Sequence, residues 1–148
     1  MSLETKIMEA MKVAMKEKDK IALDSLRAIK SQLLLLKTDG KTAEVSPEQE
    51  IALLQRLVKQ RKEAYEQFFA NNRNELAENE LAQARVIEQF LPAQLSPEEL
   101  EKELTEIIKE TGAQDIKDLG KVMGIASKKL QGKAEGKIIS ETVRNLLS

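Results

Sequence analysis

The 148-residue chain contains no cysteine, no histidine and no tryptophan. Without cysteine it forms neither a disulfide nor a thiolate zinc site, and without histidine it lacks the commonest metal ligand and the usual general base near neutral pH. Only three phenylalanines and one tyrosine are present, together with three prolines and six glycines. This is short of the aromatic and β-branched residues that favour sheets. No apolar run approaches the roughly 20 residues needed to cross a bilayer, the longest aliphatic run being Leu33 to Leu36. The opening residues MSLETKIMEAMK are amphipathic but carry acids, so they read neither as a secretory signal nor as an acid-poor transit peptide. Together these absences lead us to expect a cytoplasmic protein with no membrane partner, no metal and no cofactor.

What is present is a balance of 41% apolar and 33% charged residues, enough for a conventional core. A chain of this size buries roughly 68–70% of its unfolded surface. The net charge of −1 hides an uneven distribution. Residues 75–110 hold ten glutamates against Arg85, Lys102 and Lys109, which gives −7. Residues 120–148 hold Lys121, Lys128, Lys129, Lys133, Lys137 and Arg144 against Glu135 and Glu141, which gives +4. The carboxy-terminal end is therefore the basic one, and a local patch of this kind attracts phosphate even on a neutral chain.

Helical spacing accounts for nearly every segment and no stretch alternates as a strand would, so the expected fold is all-α with about seven helices and no sheet. The first helix should run from about Leu3 to Lys18, with Ile7, Met11, Ala14 and Met15 on one face. Asp19 then caps a second, in which Ala22, Leu26, Ile29, Leu33 and Leu36 follow steps of four and three and Gly40 is the stop. The polar stretch TDGKTAEV connects onward. SPEQ at Ser46 and SPEE at Ser96 each offer a serine cap, proline at the first helical position, and Gln or Glu to complete a capping box. Helices are expected from Pro47 to about Asn71, from about Asn74 to Leu91 before Pro92, and from Ser96 to Gly112. Beyond, Asp115 caps a helix carrying Ile116, Leu119, Val122, Met123, Ala126 and Leu130, Gly132 and Gly136 allow a turn, and a last helix spans about Glu135 to Leu147. Residues 1–91 would form one four-helix subdomain and 96–148 a three-helix one, joined at LPAQLSPEE.

Catalytic constellations are hard to find. GKAEGKI has three residues between its glycines and isoleucine where a phosphate-binding P-loop needs four and a hydroxyl, and no strand leads into it. Glycines at 120, 124, 132 and 136 do not match G-x-G-x-x-G. None of the eight serines has a lysine three residues on, which removes an S-x-x-K nucleophile. Among 25 acids no carboxylate pair is singled out.

The basic residues are more informative. In the third helix the apolar seam runs Ile51, Leu54, Val58, then Arg61, then Tyr65 and Phe68, so a guanidinium stands where a hydrophobe is expected. Such a charge must be paired or near water. Either its stem packs while its head reaches solvent, or it faces a ligand. In the second helix Arg27, Lys30 and Lys37 fall within about 80° of one another, a basic strip beside the apolar face. Towards the carboxy terminus, Gly120 and Gly124 stand one turn apart and would let a second backbone approach, whether a packed helix or a ligand. Lys121 and Lys128 share a face, and Lys129, Lys133 and Lys137 lead into and past a loop. Amides at a glycine-flanked helix start with lysines around them suit a phosphodiester oxygen. No aromatic residue follows Phe90, so recognition there would be of duplex shape and phosphate.

The segments LRAIKSQL (26–33), KQRKEAYEQF (59–68), EQFLPAQLSPEEL (88–100) and GKVMGIASKKLQGKAEGK (120–137) resemble the GatB/YqeY family, in its free-standing YqeY-like form. The resemblance implies an all-helical fold of two subdomains. It also implies kinship with the tail of the GatB component of the glutamine-dependent amidotransferase that amidates Glu-tRNA or Asp-tRNA, a tail understood to help hold tRNA. It makes Lys121, Lys128, Lys129, Lys133 and Lys137 the favoured tRNA-facing residues, with Arg27, Lys30 and Arg61 as a second group. Where the family commonly shows G-x-A-D-G-K, this chain has Glu135 in place of aspartate. The body that houses the transamidation chemistry is absent from this sequence. The implied role is therefore a non-catalytic module that binds tRNA or another structured RNA beside amidotransferase subunits. Two alternatives stand: a carbon-nitrogen ligase using glutamine as amide donor and acting with other subunits, or a protein adaptor using the acidic segment 75–110.

Overall fold

A computed structural model describes residues 2–38 and 45–148, and these fall into two compact units, Met1–Leu91 and Pro92–Ser148. Seven α-helices and one 3-10 turn make up the regular structure, with no strand among the described residues. The fold is all-α.

The first unit holds α1 (Leu3–Glu17), α2 (Lys20–Thr38), α3 (Pro47–Ala70) and α4 (Asn74–Glu88). Ser2 begins α1, its hydroxyl accepting from the Thr5 amide at 3.2 Å. Lys18 ends the helix in the left-handed region at φ 59°, and Asp19 Oδ1 then accepts from Ala22 N at 3.1 Å to start α2. The expected stop of α2 at Gly40 lies outside the described residues. A core forms from Ile7, Leu26, Ile29, Leu33, Leu54, Leu57, Val58, Ala84 and Ile87, all buried. Each large aliphatic side chain removed from water there contributes about 1.5–3 kcal/mol. Ser25, the one buried polar side chain among the described residues, donates to Ile21 O at 2.8 Å, so its hydroxyl costs little. Met15 departs from expectation: it is 61% exposed, because the face that α2 covers is centred on Leu3, Ile7 and Ala14. Helix α4 also stops at Glu88, ahead of the expected Leu91, and Phe90 and Leu91 fold back on i−3 hydrogen bonds before Pro92.

The second unit holds α5 (Pro97–Thr111), a 3-10 turn (Ile116–Asp118), α6 (Leu119–Lys129) and α7 (Gly136–Leu147). Its core is Leu100, Leu104, Ile107, Val122, Ala126, Leu130, Ile139, Val143 and Leu147. Asp115 does cap, but it caps the 3-10 turn, accepting from Lys117 N at 2.9 Å. This tighter winding swings Ile116 outward, so it is 49% exposed and not part of the α6 face. Gly112 closes α5 at φ 71° and Gly132 turns the chain between α6 and α7 at φ 79°. Gly136 supplies no turn: it is the first residue of α7.

Both serine capping boxes form. Gln49 N donates to Ser46 Oγ at 3.2 Å while Ser46 N donates to Gln49 Oε1 at 2.9 Å, and Ser96 and Glu99 exchange the same pair, both at 3.1 Å. The Ser96 backbone N–H first, and its hydroxyl second, hold the Glu99 carboxyl below its ordinary 4.5. A carboxylate with a lowered folded-state pKa contributes stability that is complete above the unfolded value and lost as pH falls through the folded one. Glu99→Gln keeps the box geometry without the charge. In thermal melts it should therefore trail the parent protein at neutral pH and converge with it on the acid side of 4.5.

Candidate functional site

Helix α6 carries little that its own fold needs on one side. Val122 and Ala126 face the core at 0% exposure, which turns the 120/124/128 line to solvent. At 100° per residue Gly120, Gly124, Lys128 and Lys121 fall within a sector of about 100°. Together with Ile125 and Lys129 they line one shallow, open surface.

The glycines there are not packing residues. A Cβ added to Gly120 or Gly124 would meet nothing within 4 Å, so no neighbouring helix uses the space that the missing side chains leave. Of the two partners that the glycine spacing allows, a packed helix is not found there among the described residues, because α5 and α7 meet α6 on the Val122/Ala126 side. A glycine inside an exposed helix costs about 1 kcal/mol relative to alanine. Among the described residues no packing contact at the missing Cβ positions offsets that cost.

Electrostatics on this face are positive. Lys121 lies in the first turn of α6, where the helix dipole disfavours a cation, whereas Lys128 and Lys129 in the last turn are favoured by it. Lys129 Nζ stands 4.0 Å from Glu110 Oε2, both side chains more than half exposed, a pair of small weight in water. Asp118 precedes α6 without a side-chain cap hydrogen bond; its Oδ2 accepts instead from Gln114 N at 3.1 Å. The 3-10 turn runs directly into α6, and the Leu119 amide donates to Ile116 O.

The other sequence-derived candidates fall elsewhere. Lys133 is exposed on the α6–α7 loop, and Lys137 is exposed in the first turn of α7. Glu135, at the family's aspartate position, precedes α7 without making the side-chain cap hydrogen bond, one methylene being enough to spoil the short Asx-type reach. Arg27 and Lys30 are exposed on α2 in the first unit, and Lys30 lines a groove with Leu33, Leu34, Lys37 and Glu4, the last two forming an ion pair. Arg61 is half-buried between α3 and α4. Its Nε donates to Gln83 Oε1 at 3.1 Å and its Nη1 to Leu57 O at 3.3 Å, while Gln83 Nε2 donates to Asn79 Oδ1 at 2.8 Å. A guanidinium in an apolar seam is satisfied by this relay within the hairpin. The three lysines of α6 are thus brought together on one surface, whereas Lys133 and Lys137 are placed on the segments that follow.

Two residues of this region escape a reading by charge and glycine spacing. Ile125, 41% exposed beside Lys121 and Lys128, had a usable signal in its i+4 and i−3 relation to them. Gln94 had none, since its contacts are with main-chain carbonyls, one of them 38 residues away. Among the described residues no group of three or more acidic side chains is placed to hold a metal ion, and no helix is long and apolar enough to cross a membrane.

Comparison with known proteins gives one family. Its description is YqeY-like protein, and the match covers residues 4–147. No curated protein matches the chain. With nearly its whole length covered, the chain belongs to the YqeY-like protein family.

Proposed function

We propose that the protein is a helical RNA-binding accessory module, with tRNA as the first candidate ligand and the α6 face as the surface that receives its phosphate backbone. One observation carries this reading: Gly120 and Gly124 are exposed on α6, no atom of the described residues lies within 4 Å of where their Cβ would stand, and they are flanked by Lys121, Lys128 and Lys129. A helix surface without Cβ atoms lets a sugar-phosphate chain lie close, and the lysines neutralise its charge without reading bases. The kinship of the family with the tRNA-amidotransferase tail points to the same ligand. Lys133 and Lys137 extend the cationic surface along the chain, and Arg27 and Lys30 form a second group on α2. Arg61 serves the α3–α4 hairpin and contributes through its geometry. Amide transfer itself would belong to partner amidotransferase subunits.

Gly124→Ala separates this reading from an ordinary helix surface. The added methyl meets nothing in the folded chain, so the melting temperature should rise by the equivalent of about 0.5–1 kcal/mol. tRNA affinity should fall in the same protein, because the methyl occupies the approach. Filter binding over a salt series should show log affinity falling by about 0.7–0.9 per phosphate contact for the parent chain. A Gly124→Ala protein that is more stable and binds equally well would sink the α6 assignment, and absence of saturable tRNA binding at low salt would sink the function.

A further inference from the structure

The segment Pro92–Leu95, which enters the second unit ahead of α5, has no regular structure, yet it is fastened to the α6–α7 loop. Gln94 Nε2 donates to Pro92 O at 2.8 Å and to Gly132 O at 2.6 Å, which uses both protons of the amide. Next to it, Leu95 N donates to Lys133 O at 2.9 Å. Gly132 O lies in the peptide plane before the Lys133 Cα and Lys133 O in the plane after it. Both planes are therefore held, and with them the direction in which the Lys133 side chain leaves the backbone. Lys133 N closes the turn by donating to Leu130 O at 3.0 Å, and Gly132 is buried with φ 79°. The lysine side chain itself is exposed.

From this geometry we infer that Gln94 is a positioning residue: it locks the α6–α7 loop so that the Lys133 ammonium is presented to a phosphate oxygen. This rests on the RNA-binding reading above. A lysine on a freely moving loop gives up side-chain and backbone freedom when it contacts a ligand, and fixing the loop beforehand removes the backbone share of that loss. Gln94 touches no ligand itself. Its effect on binding must pass through Lys133, and that separates positioning from a general contribution to folding.

The experiment is a double-substitution cycle read by tRNA binding with the full chain. Lys133→Ala should lower affinity about threefold to fivefold in the parent background and reduce the salt slope by about one contact. In a Gln94→Ala background the same Lys133→Ala change should cost less than about twofold, since the contact is already degraded. Gln94→Met, which keeps the side-chain stem and removes both donors, should behave as Gln94→Ala does. Lys121→Ala, on the body of α6, should remain additive with either Gln94 variant. Amide exchange at Leu95 should quicken in both, with far-UV circular dichroism unchanged. Additivity between Gln94 and Lys133, or unaltered Leu95 exchange, overturns the role of Gln94 and leaves the RNA reading standing. A parent protein that binds no tRNA overturns that reading, and this role with it.

Discussion

Reversing the three lysines of α6 together, as Lys121→Glu, Lys128→Glu and Lys129→Glu, should lower tRNA affinity by at least about a hundredfold near 0.1 M salt and flatten the salt slope by two to three contacts. The three side chains border one open surface, so the substitutions create repulsion where attraction stood. Lys129 should account for the smallest share, because Glu110 at 4.0 Å already offsets part of its charge. Glutamate in the last turn also opposes the helix dipole, at about 0.3–1 kcal/mol per residue. A matched set of lysine-to-glutamine changes controls for this and should give a smaller loss of the same sign. Reversal of Arg27 and Lys30 on α2 provides the comparison between the two basic groups. Equal, small effects from all three sets would move the RNA surface away from α6.

The largest stability effect should come from Leu104→Ala. Leu104 is 0% exposed at the centre of the second core, among Leu100, Ile107, Val122, Ala126 and Val143. Emptying such a site costs about 3–5 kcal/mol, through lost burial and the cavity left behind. The unit it supports has only 57 residues, Pro92 to Ser148. At about 0.05–0.15 kcal/mol per residue, such a unit is stable by roughly 3–9 kcal/mol, so one substitution consumes most of the margin. Amide resonances of α5, α6 and α7 should lose their dispersion, and urea unfolding of these helices should begin near zero denaturant. Because α6 is presented only by this core, tRNA binding should vanish with it. A cooperative transition displaced by less than about 1 kcal/mol would mean that neighbouring side chains close the cavity.

Family membership and fold class follow from features that act over a few residues. The caps at Ser46 and Ser96 are completed by residues three positions on, and Gly112 adopts its left-handed turn because β-carbon sterics penalise other residues there. Helical periodicity likewise assigns Leu26, Ile29 and Leu33 to one side of α2 without reference to what covers them. Leu53 and Leu57, buried at 3% and 4%, lie outside the seam drawn through Ile51, Leu54 and Val58. They show the limit of this logic: α3 is covered from more than one direction, and periodicity along one helix does not count its neighbours.

The amino-acid order alone thus determined where most of the helices start, α6 being the exception, what kind of fold they build and which end of the chain is cationic. Only the tertiary structure decided that Met15 and Ile116 face water, that Arg61 is held by Gln83, that Gly120 and Gly124 border open space, and that Gln94 reaches the Gly132 carbonyl. The reason is range: caps and turns are satisfied by atoms a few bonds away, whereas exposure and bracing depend on which distant segment arrives to fill a given side.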